Sequence, residues 1–168
     1  MDIFILIPKY FWLIAILVTS INCMMFRIRA KKHIAAKPEL KDGYATLLRG
    51  YLFWMNLPWV VMGIGCTVGR VPSVWYYFRP RDGNPYVLAW FASIVLLWVL
   101  GTFWLFFRGG AETLVRYPGV LQAGGGLKSR NIASPVLFKV IWLLALTGGV
   151  IAMVTMWILD IPIQHFAQ

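Results

Sequence analysis

The chain has 168 residues and a net charge of +10, yet only 13% of its residues are charged while 60% are hydrophobic and 16% are aromatic. A soluble fold of this length cannot enclose so much apolar surface, and a mean hydropathy of +0.72 excludes a water-soluble enzyme and a disordered tail alike. The expected class is an all-α polytopic integral membrane protein, in which sixteen Lys and Arg against six Asp and Glu concern topology and lipid before nucleic acid.

Four runs carry no charge: Tyr10 to Phe26 (17 residues), Tyr51 to Gly69 (19), Tyr86 to Phe107 (22) and Val140 to Leu159 (20). A hydrocarbon core of about 30 Å takes about 20 helical residues, and helix is required because no water is there to satisfy the backbone. The expected architecture is an up-down bundle of four transmembrane helices over about 10–26, 51–69, 86–107 and 136–159, forming one domain. A β-barrel is excluded, since Ile94 to Leu100 is apolar all round rather than alternating. The first run is expected to stay as an uncleaved anchor, because its positive cluster follows the apolar stretch instead of leading it.

Arg27, Arg29, Lys31 and Lys32 follow the first run and open a basic connector, 27–50. Arg27 to Ala36 has no Gly or Pro and can prolong the first helix. Pro38 stands where a first-turn proline belongs, and Glu39 and Asp42 suit the positive end of a second helix. The four cations should meet anionic lipid headgroups at about 1 kcal/mol each. Without interleaved aromatics they do not make a nucleic-acid site.

The second run holds Asn56 and Pro58, and a proline there removes one helical hydrogen bond and predicts a kink. Small residues four apart, Gly65 with Gly69, and later Ala145 with Gly149 and Gly148 with Ala152, are expected to let helix backbones approach closely. The loop 70–85 carries Trp75-Tyr76-Tyr77-Phe78 and then a turn-forming stretch from Pro80 to Pro85, which reads as a short ordered cap with its rings in the headgroup layer. Trp12, Trp75, Trp90 and Trp157 fall at one expected interface, and Trp54, Trp104 and Trp142 at the other.

The connector 108–135 begins with Arg108-Gly109-Gly110, a helix stop. Ala111 to Tyr117 is long enough for two turns lying on the membrane before Pro118-Gly119 ends them. Gln122 to Arg130, with three consecutive glycines, is the most flexible stretch by composition. Ser134-Pro135 reads as the cap and first residue of the last helix. Twelve basic residues fall on the side of the two long connectors and four on the other, which predicts cytoplasmic connectors and external termini.

The four central runs contain no ionisable residue, so a proton- or sodium-coupled pump lacks its usual carrier. His33 and His165 should lie on opposite faces, which excludes a shared haem, and Cys23 and Cys66 should lie too far apart for a disulfide. No catalytic or metal-binding residue and no cofactor is expected.

The leading functional reading is a non-catalytic structural, assembly or regulatory component of a membrane complex or homo-oligomer. Its partners would be a bilayer with anionic lipid at the cytoplasmic face, and another membrane protein or a second copy. Alternatives are a small channel or facilitator around the kinked second helix, and an interfacial lipid enzyme using Glu112, Arg108 and Arg116 or Arg79, Arg81 and Asp82. Short loops and the lack of an Asn-x-Ser/Thr acceptor suit a bacterial inner membrane.

Overall fold

The computed structural model describes residues 3–120, 122–123, 130–131 and 133–159. Six α-helices follow one another: α1 (Ile3–Lys9), α2 (Phe11–Ala36), α3 (Lys41–Thr67), α4 (Pro85–Phe107), α5 (Gly110–Arg116) and α6 (Pro135–Ile158). Tight 3₁₀ turns at Pro38–Leu40, Val74–Phe78 and Pro80–Asp82 join them, and Gln122–Ala123 pairs antiparallel with Arg130–Asn131. The remaining glycine-rich stretch between those pairs, and His165, lie outside the described residues.

Local chemistry explains the boundaries. α2 runs on to Ala36, and Pro38 then opens the 3₁₀ turn that feeds α3, so the two helices form a hairpin extended beyond the expected spans. Asn84 caps α4, its side chain accepting from the Tyr86 N–H at 3.0 Å with Pro85 as the first helical residue. The pair expected as part of a turn thus starts a helix. Ser134 caps α6 in the same manner, and Gly109, at φ +67°, ends α4 and turns the chain into α5.

α2, α4 and α6 are long and apolar enough to cross a membrane. α3 is equally long at 27 residues, but Asn56, Pro58 and several glycines interrupt its apolar character. It is also the sheltered helix, packed between α2 and α4, while α6 leans on α4 and α5. The order across the fold is therefore α2, α3, α4, α6, with neighbours antiparallel. One end gathers the α2–α3 hairpin tip, α5 and the start of α6, and is rich in basic residues. The far end gathers the loop 68–84, α1 and the end of α6.

Rings seated on glycines make the joints. A methyl on Gly63 of α3 would meet the Trp12 ring of α2 at 2.8 Å. Gly65 lies under Tyr77 and Gly69 under Tyr86, tying α3 to the far-end loop and to α4. Two reciprocal seats join α4 to α6: Trp142 over Gly101, and Trp98 over Gly149. Trp142 Nε1 also donates to Thr102 Oγ1 at 2.9 Å, so this ring bridges two helices instead of only anchoring at an interface.

The far-end loop turns one of its rings inward. Tyr77 is fully buried, donates its hydroxyl to the Met62 carbonyl at 3.0 Å, and packs edge-on against Trp90 at 5.5 Å. Met62, Val71, Val74, Val87, Trp90 and Phe91 complete this cluster, so Trp90 packs within the protein core. The reason is geometric: Val71 N–H bonds back to the Gly65 carbonyl at 3.0 Å, folding the loop over the ends of α3 and α4.

Gly65→Ala should destabilise the fold by about 1–3 kcal/mol, the usual range for overpacking, because the fully buried Tyr77 ring has nowhere to swing. Gly148→Ala, where nothing lies within 4 Å, should leave the melting midpoint unchanged or raised. Thermal melts of the detergent-solubilised protein compare the two, and equal midpoints would dismiss the Tyr77 seat as a structural joint.

Candidate functional site

Polar groups inside the helix row are few and concentrated. Among the described residues the buried polar side chains are Thr19 on α2, Asn56 on α3 and Ser93 on α4. Their depth follows from register. Trp12 over Gly63, and Cys23 Sγ reaching the Leu48 carbonyl at 3.7 Å, put Thr19 within about one turn of Asn56. Tyr86 against Gly65 and Gly69 puts Ser93 near the level of Pro58. Three helices thus carry one polar belt.

Each belt residue first looks to its own helix. Asn56 Nδ2 donates to the Leu52 carbonyl at 2.8 Å, and Ser93 Oγ to the Trp90 carbonyl at 2.7 Å. Asn56 Oδ1 is enclosed and accepts nothing among the described residues. Pro58, buried one half-turn on, has no N–H to give the Trp54 carbonyl. Both groups singled out in the second run are therefore buried, in the helix with the most neighbours. The belt can hold a hydrogen-bond donor; it contains no acid, base or nucleophile of ordinary catalytic strength.

At the basic end, Arg27, Lys31 and Lys32 are exposed, while Arg29 is half-buried with its Nε donating to the Met25 carbonyl at 3.3 Å. The segment after α5 docks onto this hairpin. Tyr44 is fully buried and donates to the Pro118 carbonyl at 2.7 Å, and its ring meets Tyr117 edge-on at 5.1 Å. Burial pushes the Tyr44 phenol above its ordinary range, which keeps it a neutral donor. Gly119, at φ +88°, passes close to His33 and Arg29, a conformation that side chains rarely adopt.

α5 does form at the expected place, but its apolar residues have protein neighbours. Leu114 and Val115 pack against the buried cluster of Leu105, Ala111 and Phe138. Lys139, near the start of α6, pairs with Glu112 at 3.2 Å and tethers α6 to α5. Glu112's own backbone N–H, at the start of α5, and then Lys139 hold its carboxyl below the usual carboxylate range.

At the far end Arg79 pairs with Asp82 at 3.3 Å, and Arg81 Nη1 donates to the Ile158 carbonyl at 3.4 Å, at the end of α6. With Met156 and Leu159 they border a half-open groove of about 250 Å³. The charges considered for a lipid enzyme are thus divided between the two ends. Among the described residues no three His, Cys, Asp or Glu side chains could share a metal ion.

The small residues fall into two environments. Gly65, Gly69 and Gly149 receive aromatic rings, whereas Ala145, Gly148 and Ala152 lie on an exposed stripe of α6. One polar residue escapes a reading that counts only charges: Asn22 of α2, which is exposed, between buried Thr19 and Phe26 on one side and exposed Val18 and Met25 on the other. An uncharged amide inside an uncharged run was its only signal. Compared with models of protein families, with curated proteins and with solved structures, the chain matches none.

The Glu112–Lys139 tether has a defined pH signature. A carboxyl held low in the folded state contributes fully above its unfolded range, about 4.3, and loses that contribution as pH falls through its lowered folded value. The stability difference between the wild type and Glu112→Gln should be constant from pH 6 to 8 and shrink toward zero below about pH 4. A difference unchanged at the acid end would assign the effect of Glu112 to something other than its charge.

Proposed function

We propose that the chain is a four-span integral membrane protein with its basic end in the cytoplasm and both termini outside, located in a bacterial inner membrane. In it the chain acts non-catalytically, as an assembly or regulatory component of a membrane complex or homo-oligomer. One observation carries this reading: the two edge helices of the row bury very little of themselves. α6 buries Phe138 alone among its described residues, and α2 buries Thr19, Phe26 and Ala30, while both expose apolar side chains along their length. Water cannot solvate such faces, so lipid and partner helices are their solvents.

α3 fits as the fourth span despite Asn56 and Pro58, since α2 and α4 cover it on both sides. The extended α2–α3 hairpin and Arg108, Arg116 and the Arg27–Lys32 cluster place positive charge at one end, in keeping with a cytoplasmic face and with anionic lipid there.

Single cysteines report the orientation. Lys37→Cys should react with a membrane-impermeant maleimide only after the membrane is opened, and Gly83→Cys in intact spheroplasts. The opposite pattern would invert the topology. Gentle purification from native membrane, followed by mass spectrometry, should recover a stoichiometric protein partner or a multimer of this chain. A lone monomer with only bulk lipid would remove the assembly reading.

The unpartnered Asn56 Oδ1, together with the Trp54 carbonyl that Pro58 leaves without its helical N–H, favours one alternative, a small facilitator built on α3. It predicts solute flux in reconstituted vesicles that falls at least tenfold in Asn56→Leu and in Pro58→Ala. Equal flux in both variants and the wild type would dismiss it.

A further inference from the structure

We infer that the half-open groove at the far end is a seat for the headgroup of an anionic phospholipid, with the Arg81 guanidinium holding its phosphate. This goes beyond the assembly reading and does not depend on it. What it requires is that α6, long and apolar enough to cross a membrane, does cross one.

Depth comes first. Met156, in the last turn of α6, and Leu159, just past it, form one wall of the groove, and Arg79, Arg81 and Asp82 form the other, around a volume of about 250 Å³. α6 ends at Ile158, so the groove opens where hydrocarbon gives way to headgroups. Exposed Trp157 marks the same level.

Charge selects what enters. Arg79 Nε is engaged by Asp82 at 3.3 Å, and two guanidiniums against one carboxylate leave a positive charge that centres on Arg81. Arg81 makes one bond among the described residues, from Nη1 to the Ile158 carbonyl at 3.4 Å. That bond holds the guanidinium against the end of α6 and leaves most of its N–H donors open. A guanidinium offers two parallel N–H groups to two phosphate oxygens, a contact stronger than a neutral donor makes. Asp82 beside it can accept from a headgroup hydroxyl, such as those of phosphatidylglycerol.

A free phosphate would satisfy Arg81 as well, but it would leave the wall of Met156 and Leu159 bare. A phospholipid covers both, because its glycerol and first methylenes follow the phosphate toward the apolar layer.

The test uses the full chain in detergent, in a Cys23→Ser, Cys66→Ser background, with the rate of maleimide modification as the readout. Leu159→Cys, exposed in the groove wall, should react at least fivefold more slowly once phosphatidylglycerol is added. Val68→Cys, exposed at the same end but outside the groove, should keep its rate. Neither inorganic phosphate nor a diacylglycerol with the same acyl chains should protect Leu159→Cys. Arg81→Gln should abolish the protection and Arg81→Lys should retain part of it, with an unchanged Val68→Cys rate in both showing that the fold is intact.

Protection that survives Arg81→Gln overturns the inference, as does equal protection of both cysteines, which would report bulk lipid. Equal protection by inorganic phosphate assigns the groove to a free anion, and equal protection by diacylglycerol assigns it to the apolar wall alone; each overturns the headgroup seat. No protection at all overturns it too, and every one of these results leaves the assembly reading standing.

Discussion

Helices that pack at 8–10 Å leave no room for an indole or a phenol between two ordinary backbones, yet this chain places rings at nearly every joint. Glycine resolves the conflict. By leaving out a Cβ at Gly63, Gly65, Gly69, Gly101 and Gly149, the facing helix or loop can lay a ring directly on the backbone. These seats fix both the lateral order of the helices and their vertical register. The reciprocal seats of Trp98 and Trp142 do so with particular economy, because two rings pointing in opposite directions oppose sliding either way.

Everything polar takes its position from that register. Once Trp12 sits on Gly63, Thr19 and Asn56 come to one depth, and once Tyr86 sits on Gly65 and Gly69, Ser93 joins them. The most polar of the long helices is thereby the one covered on both sides. An asparagine and a proline in mid-helix are tolerable where neighbouring helices exclude lipid, and much less so at an edge. Asn22, on the edge helix α2, is exposed and does not share that shelter.

The two ends are finished by different means. The far end is closed by a folded loop with its own buried hydroxyl, that of Tyr77, whose burial pushes the phenol well above its ordinary range and keeps it a donor. The basic end relies on a docked segment after α5, held by Tyr44 to the Pro118 carbonyl, and on the exposed Glu112–Lys139 pair. An exposed pair of this type adds little stability but does set where α6 begins relative to α5. The positive charge of the described residues at this end therefore collects around a structured surface.

The sequence by itself determined the helices. Gaps between charges located four long segments, and Pro38, Gly109, Ser134 and Pro135 marked their boundaries, because backbone preference and the cost of charge in an apolar medium act within a few residues of chain. Even the α2–α3 extension and α5 were legible on those grounds. α1 was not, since seven residues ending around Pro8 make too short and irregular a pattern. The sequence also offered small residues and aromatics as separate classes, glycines for close backbones and tryptophans for interfaces. Only the tertiary structure decided that the two belong together, that Tyr77 and Trp90 turn inward, that Lys139 has a partner, and that Asn56 is enclosed while Asn22 faces out. Those outcomes depend on which helix lies beside which, and lateral neighbours are chosen by shape complementarity between segments far apart in the chain, a property no local pattern contains.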